Sequence, residues 1–237
     1  MINFPLSEVY LESVDSTNSY LKRIIKENEL LNGMSVMAKA QTSGRGRLGR
    51  SWLSSEGDTL CMSIAIKTPY FEGFTLLSAL AVYDALKPFC KGEDLQIKWP
   101  NDIICGSKKL SGILCERVSE YTVIGIGINV NDKSFAHEIA HKATSVYLIS
   151  GQKYDVKEIF RAVNKSFEYV FTKFGFNFND DVKREYEKLC ANIGKEVFAE
   201  HHSGVAVGVG GDGSLLLNTD DGIFSVSSGE VAVHNIY

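Results

Sequence analysis

Three consecutive strand-like runs in the middle of the chain constrain the fold most strongly. Apolar residues dominate at 103–104, 110–115 and 121–130, and only short polar segments separate these runs. Connections this short join antiparallel neighbours, whereas parallel strands need a crossover of a dozen or more residues. The runs therefore predict an antiparallel meander within an α+β fold, built on a mixed, largely antiparallel sheet rather than on repeated βαβ units.

Helices are predicted beside this sheet. Asp15, Ser16 and Thr17 offer N-cap oxygens, and the apolar residues that follow recur at helical spacing. Further helices are predicted at 74–89, 156–174 and 180–191. The remaining strands are predicted at 9–14, 35–40, 60–66 and 96–99. Residues 41–58 hold too few apolar side chains for a packed element, so they are predicted to form a long loop.

The character of the sequence changes after Asn192. Short apolar runs alternate with glycine- and aspartate-rich turns, and the runs lie at 196–200, 205–209, 214–219, 223–227 and 230–234. This pattern predicts a small β-barrel or sandwich of about 45 residues, close to the lower size limit for independent folding. Two domains are therefore expected, 1–191 and 192–237, with the smaller one docked on the larger.

Charge and cysteine content exclude several classes of protein. The net charge is −4 at pH 7, whereas general nucleic-acid binding needs a positive excess to neutralise phosphates. The five cysteines are odd in number and include no CxxC pair, which argues against a disulfide framework or a zinc ribbon. Neither a signal peptide nor a membrane-length apolar run is recognisable. The expectation is a cytoplasmic protein with no membrane partner.

The densest chemical signal is the loop at 41–52. Its glycines let the backbone approach a ligand closely, and Arg45, Arg47 and Arg50 offer charged planar forks to phosphate or carboxylate. The loop is predicted to close over an anionic ligand, and the alternative is an ordinary solvated basic loop. Gly44 also begins a GxGxxG pattern, but no helix follows directly, so a dinucleotide site is rejected.

Three further segments combine polar groups with glycine. The segment KWPND at 98–102 presents a cation, an amide and a carboxylate where a strand ends. In KLSGIL at 109–114 and GIGIN at 125–129, glycines leave room for a flat ligand against the strand backbone. Taken singly, each segment is also compatible with a strand-ending turn or an ordinary buried strand.

Together and in this order, these segments resemble the biotin–protein ligase family. The resemblance rests on the Ser16-Thr17-Asn18 turn, GRGRLGRSW at 44–52 and the three segments above, and it covers nearly the whole chain from about residue 9. It implies a core related to class II aminoacyl-tRNA synthetases and an SH3-like C-terminal β-barrel. It further implies that biotin is activated with ATP and Mg²⁺ as biotinyl-adenylate, then transferred to a lysine of a carboxylase's biotin carboxyl carrier domain.

The resemblance also implies site residues. The ureido head of biotin would be bound by Ser16, Thr17 and Gln41. The carboxylate, tail and phosphate would be surrounded by Gly44, Arg45, Arg47, Lys109, Gly112 and Gly127. The ATP and adenylate side would involve Arg45, Arg47, Arg50, Trp52, Asn101 and Asn129. Catalytic roles are implied for Lys109, Arg47 and Asp102, with Asp102 also a candidate metal ligand.

Partners follow from the same resemblance. Eight residues precede the first family strand, so the DNA-binding domain of the bifunctional repressor members is expected to be missing, and with it sequence-specific DNA binding. A homodimer is one possible assembly.

Rival functions remain open at this point. A lipoate ligase or octanoyl transferase would share the core fold, but KWPND and GRGRLGR favour biotin. HEIAH at 137–141 spells a zinc-protease pattern, yet it lacks a sustained helix and a third ligand, so it is interpreted as a chance match on a surface segment. A nucleic-acid-binding module using the arginine loop is disfavoured by the acidic net charge.

Overall fold

The computed structural model describes residues 6–27, 33–68, 73–90, 92–199, 201–227, 231–233 and 236. The larger of its two sheets contains β1 (Ser7–Val14), β2 (Met34–Gln41), β3 (Thr59–Lys67), β4 (Leu95–Lys98), β5 (Asp102–Cys105), β6 (Lys108–Val118) and β7 (Tyr121–Asn129). Their order in space is β1-β2-β3-β7-β6-β5-β4. The pair β1–β2 is parallel and every other neighbouring pair in this sheet is antiparallel. The predicted mixed sheet and its meander are confirmed.

The described helices are α1 (Thr17–Lys26), α2 (Phe74–Leu86), α3 (His137–Ala140), α4 (Val146–Ser150), α5 (Val156–Phe174) and α6 (Asp180–Leu189). The prediction missed α3 and α4 and ended α6 two residues late. Helices α2 and α5 cover the sheet face that carries the fully buried Leu60, Ile64 and Ile66 of β3. Within the described ranges, no helix is both long and apolar enough to cross a membrane.

Helix α1 covers only one end of the opposite sheet face. Its buried Leu21 and Ile25 pack there against Ala65 of β3 and Val123 of β7. Apart from Leu114, the central strands carry small or polar residues on the rest of this second face. Cross-strand partners share a face, and the pairings run across five strands from Cys61 through Gly127 and Gly112 to Asp102 and then Lys98. The register therefore brings the glycine and KWPND segments into one row on an uncovered surface.

The smaller sheet is antiparallel and consists of β8 (Glu196–Ala199), β9 (His202–Val209), β10 (Leu215–Thr219), β11 (Gly222–Val226) and β12 (Ala232–Val233), in the order β11-β10-β9-β8-β12. The strands agree with the predicted runs, although residue 200 and parts of the 230–234 run lie outside the described residues. The indole Nε1 of Trp99 donates to the carbonyl of Gly213 at 2.9 Å. The buried side chains of both sheets form one continuous core, so the small sheet packs directly on the larger part.

All five cysteines are free thiols, as their odd number and spacing predicted. Cys61 lies in the row described above, and burial raises its thiol pKa to about 11 although hydrogen bonds with Ser54 and Gln41 oppose the shift. A thiol of such high pKa is a poor nucleophile at neutral pH. Cys61 therefore fills space in the sheet and offers no covalent chemistry.

Candidate active site

The uncovered half of the second sheet face is the floor of a cavity of about 900 Å³. A cavity of this size accommodates a ligand as large as a nucleotide conjugate. The predicted site residues that line it are Ser16, Thr17, Gln41, Arg45, Arg47, Arg50, Trp52, Asn101, Asp102, Lys109, Gly112, Gly127 and Asn129. Gly44 instead lines a smaller hollow along the arginine loop. Thirteen of the fourteen predicted site residues therefore line one cavity, and their individual roles stay predictions.

One end of the cavity is polar, and its side chains are hydrogen-bonded to one another. The Oε1 atom of Gln41 accepts from the backbone N–H of Thr17 at 2.9 Å, and the hydroxyl of Ser63 lies 2.7 Å from Thr17 Oγ1. Ser16 occupies the N-cap of α1, but its side chain makes no capping hydrogen bond, contrary to the expected capping role. The groups at the start of α1 thus face the cavity and the neighbouring strands instead of capping the helix.

Asn18 belongs to this polar end, although the sequence assigned it no role. Its Oδ1 lies 2.5 Å from the Ser63 hydroxyl, and its Nδ2 donates to Glu116 at 2.7 Å. Burial alone would raise the pKa of Glu116, but hydrogen bonds from Lys22 and Asn18 lower it overall. A side-chain methyl at Gly125 would lie 2.4 Å from Asn18 Oδ1, so this glycine is needed for Asn18 to reach the sheet.

The middle of the floor is made of glycine backbone. A Cβ atom at Gly127 would lie 2.2 Å from the ring of Trp52, and one at Gly112 would lie 3.1 Å from the same ring. The indole therefore rests directly on the strands, and its buried Nε1 has no hydrogen-bond partner among the described residues. A flat group fits here only because both positions lack a side chain.

A charged wall stands next to the glycine floor. Lys109 Nζ lies 2.7 Å from Asp102 Oδ1, and the two side chains are 30% and 14% exposed. Lys109 also lies against Gly112, where its Nζ is 3.1 Å from the position of an added Cβ. The ammonium group is therefore fixed at the edge of the floor by an ion pair that solvent only partly reaches.

Lys98 strengthens this wall, although the resemblance assigned it no role. It is 8% exposed, lines the cavity and stands opposite Asp102 in the β4–β5 pairing. Burial lowers its pKa to about 8; Asp102 opposes the shift, whereas Lys109 and Arg50 reinforce it. The folded protein therefore keeps a buried cation beside the cavity at a cost in desolvation free energy.

Replacing Lys98 by methionine is expected to raise the free energy of unfolding at pH 7 by about 1–3 kcal/mol, because an apolar side chain avoids the desolvation penalty. The folded pKa, about 8, is below the unfolded value of about 10.4. The desolvation penalty of the charged Lys98 is therefore complete below about pH 8. It fades between about pH 8 and 10.4, where Lys98 of the folded protein has lost its proton. In urea unfolding, the variant's gain in free energy of unfolding should shrink from pH 7 to pH 10. A variant that is less stable than the unaltered chain at pH 7 would contradict the expectation.

The arginine loop is more structured than predicted. Residues Arg47–Gly49 form a short 3₁₀ turn, and Arg45 pairs with Ser51 in an isolated bridge. Arg47 Nη1 donates to Asn101 Oδ1 at 2.9 Å, and burial lowers the pKa of the guanidinium from its usual range. Asn101 thus holds Arg47 over the cavity, and the adenine contact that the resemblance implies for Asn101 stays a prediction.

The segment after β7 closes another side of the cavity. The backbone N–H of Lys109 donates to the carbonyl of Lys142 at 2.8 Å, and that of Thr144 donates back to Lys109 at 2.9 Å. These two hydrogen bonds hold the segment against β6, so that Phe135 and Ile139 line the cavity. The prediction that 137–141 is a surface segment is confirmed by its exposure, and the structure adds that Ile139 of this segment lines the cavity.

The histidines of that segment nevertheless form no zinc site. Helix α3 has four residues, none of them buried, and both His137 and His141 are exposed. Among the described residues, no three side chains of the metal-binding types cluster together. A zinc protease needs three protein ligands and an open position, so the structure gives that alternative no support.

Magnesium is the other metal to consider, because the resemblance implies that it takes part with ATP. The carboxylate of Asp102 is already paired with Lys109. Within the described part of the chain, no three acidic, histidine or cysteine side chains lie close enough together to hold a metal ion. Magnesium commonly binds one or two carboxylates together with nucleotide phosphates and water. In this structure Asp102 is the partner of Lys109, and its role as a metal ligand stays a prediction.

The fold and this cavity define an α+β protein whose ligand cavity carries hydrogen-bonding groups at one end and cations at the other. Residues 10–131 match the family described as "Biotin/lipoate A/B protein ligase family". The chain belongs to that family.

Relatives agree over nearly the full chain. The bifunctional ligase/repressor BirA of Bacillus spizizenii is 33% identical over 94% of this chain and 73% of its own length. The biotin–[acetyl-CoA-carboxylase] ligase of Mycobacterium tuberculosis is 28% identical over 91% of this chain and 85% of its own. The biotin protein ligase of Aquifex aeolicus, solved with biotin and ATP, superposes with a TM-score of 0.84 at 34% identity, covering 96% of this chain and 98% of that one.

Proposed function

We propose that this chain is an ATP-dependent biotin–protein ligase. It activates biotin as biotinyl-5′-AMP and transfers the biotin to one lysine of a biotin carboxyl carrier domain. The observation that carries the proposal is the order of features along one cavity. A polar end at Thr17 and Gln41 leads over the floor at Gly112 and Gly127 to the cation of Lys109.

Each feature matches one part of the proposed substrate. The ureido ring of biotin both donates and accepts hydrogen bonds, which suits the amide and hydroxyl groups of Gln41, Thr17 and Asn18. The aliphatic tail crosses the floor, and its carboxylate reaches Lys109. Lipoate and octanoate end in groups that cannot pair with such side chains, and unpaired polar groups in a binding site cost affinity.

The chemistry requires cations between two anions. The biotin carboxylate must attack the α-phosphate of ATP, and two unit charges about 4 Å apart repel by roughly 4 kcal/mol at an effective dielectric near 20. Lys109 and Arg47 lie where such charge would build up, and both are held by defined partners, Asp102 and Asn101. Cations that are fixed beforehand stabilise the transition state without reorganising during the reaction.

The adenylate then reacts with the amine of the carrier lysine, which attacks the acyl carbon and releases AMP. No covalent enzyme intermediate takes part. Magnesium is proposed to arrive with the phosphates of ATP. The main part, 1–191, is proposed to be the catalytic domain, related to class II synthetases, and 192–237 an SH3-like barrel. A homodimer, a cytoplasmic location and the lack of sequence-specific DNA binding stay predictions.

The test is whether the chain makes ATP–pyrophosphate exchange depend on biotin. Lipoate and octanoate serve as parallel substrates because they distinguish the biotin function from its closest enzymatic alternative. Exchange that lipoate supports as well as biotin does would refute the assignment.

A further inference from the structure

Large apolar side chains are exposed around the cavity. Leu48 and Leu53 of the arginine loop are 69% and 64% exposed, and Phe198 of β8 is 53% exposed. All three line the cavity although they come from two distant parts of the sequence. Single exposed apolar residues are common on protein surfaces, but a group of them at the edge of one site is typical of contact with another molecule.

The loop backbone presents Leu48 in an unfavourable conformation. Leu48 has φ of +55°, in the left-handed region that side-chain-bearing residues rarely adopt. Hydrogen bonds on either side fix this turn: Arg50 N donates to Arg47 O at 3.1 Å, and Gly46 N donates to Arg50 O at 2.7 Å. The loop therefore keeps a strained residue at its tip with the side chain directed to solvent, although an asparagine or glycine would suit the backbone better.

The outer face of the small sheet continues this apolar edge. Exposed fractions are 40% for Val205, 49% for Val207 and 62% for Ile223. Val205 pairs with Glu196 of β8, and alternation along β8 places Phe198 on the same face as Glu196. Phe198 thus shares an outer face with Val205 and Val207, and these side chains form an apolar strip that the polar Glu196 and Ser203 interrupt.

We propose that Leu48, Leu53 and Phe198, together with this strip, form the surface on which the acceptor protein docks while its lysine enters the cavity. The inference rests on the proposed function, because only a protein acceptor needs a surface outside the cavity. The exposed Arg45 and Arg50 lie in the same loop, so the fitting partner presents acidic and apolar side chains around its lysine. A two-fold dimer through this surface would bring one cationic rim against another.

The variants Val205→Ser, Val207→Ser and Ile223→Ser test the surface, because these residues are exposed members of it and none of them lines the cavity. Three rates are compared in each variant: biotin-dependent pyrophosphate exchange, capture of the adenylate by hydroxylamine, and biotin transfer to a purified biotin carboxyl carrier domain. The KM for the carrier domain should rise about tenfold in each variant. Exchange and capture by hydroxylamine should stay within about twofold, since neither uses the docking surface.

Leu148→Ser is the matched control, because Leu148 is 48% exposed on α4 and does not line the cavity. It should leave all three rates unchanged. An unchanged carrier KM in the three variants, or an equal rise in the control, overturns the docking surface. The docking surface is also overturned if sedimentation shows that the substitutions act only by dissociating a homodimer. Absence of biotin-dependent exchange in the unaltered chain would instead overturn the proposed function itself. Normal exchange with an unchanged KM for the carrier domain would overturn the docking surface alone.

Discussion

Replacing Lys109 by alanine is expected to lower the rate of biotin adenylation on the order of 10²–10³-fold, the scale for losing one preorganised charge partner. The ammonium group is held 2.7 Å from Asp102 at the edge of the glycine floor. There it would neutralise charge as the carboxylate approaches the α-phosphate. The fold should survive, because a partly exposed ion pair contributes at most about 1 kcal/mol and Lys98 remains opposite Asp102 in the pairing.

Pyrophosphate exchange under saturating biotin and ATP measures this effect. Lys108→Ala is the matched control, since Lys108 is the preceding residue of β6 and is exposed. It removes the same charge from the chain but not from the cavity. Near-normal exchange in Lys109→Ala, or a comparable loss in Lys108→Ala, would remove Lys109 from the chemistry.

Gly127→Ala is expected to impair adenylation by about 5- to 150-fold, which corresponds to the roughly 1–3 kcal/mol typical of overpacking a tight contact. The added methyl group would lie 2.2 Å from the Trp52 ring, so the indole has to leave the floor. The chain has two tryptophans, and Trp99 is only 3% exposed. Displacement of Trp52 should therefore appear as a red shift of the fluorescence emission.

A double-mutant cycle separates the Trp52 contact from other effects. If the loss arises through the indole, Trp52→Ala alone should reproduce most of it, and adding Gly127→Ala should cost little more. Gly211→Ala makes the same chemical change where no atom lies within 4 Å of the new Cβ, and it should be neutral. Additive losses in the double variant would show that Gly127 serves the ligand directly and not through Trp52.

Much of the fold was predictable because its elements carry local patterns. The three runs of the meander follow one another with short turns, and the phenylalanines of α5 recur at helical spacing along its buried side. Helix α3 was not predictable, since four residues are too few for a periodic signal. The parallel pairing of β1 with β2 was also hidden, because a strand's own pattern does not reveal its neighbour.

The site was predictable where a motif and a sheet register coincide. Gly127 and Gly112 are direct cross-strand partners, so two motifs distant in sequence form one floor. Contacts that no local pattern encodes were missed. Asn18 reaches Glu116 across 98 positions, and the segment with Ile139 joins the cavity through backbone bonds to β6. The burial of Lys98 likewise depends on what packs around β4, which its motif does not specify.

The most direct measurement of the central claim is biotin-dependent ATP–pyrophosphate exchange by the unaltered chain. Parallel reactions would contain biotin, lipoate, octanoate or no acid, each with ATP and Mg²⁺ at the same concentrations. The account predicts exchange well above background with biotin alone, because only biotin brings a ureido ring to the polar end formed by Thr17 and Gln41. Equal exchange with lipoate, or none with biotin, would contradict it.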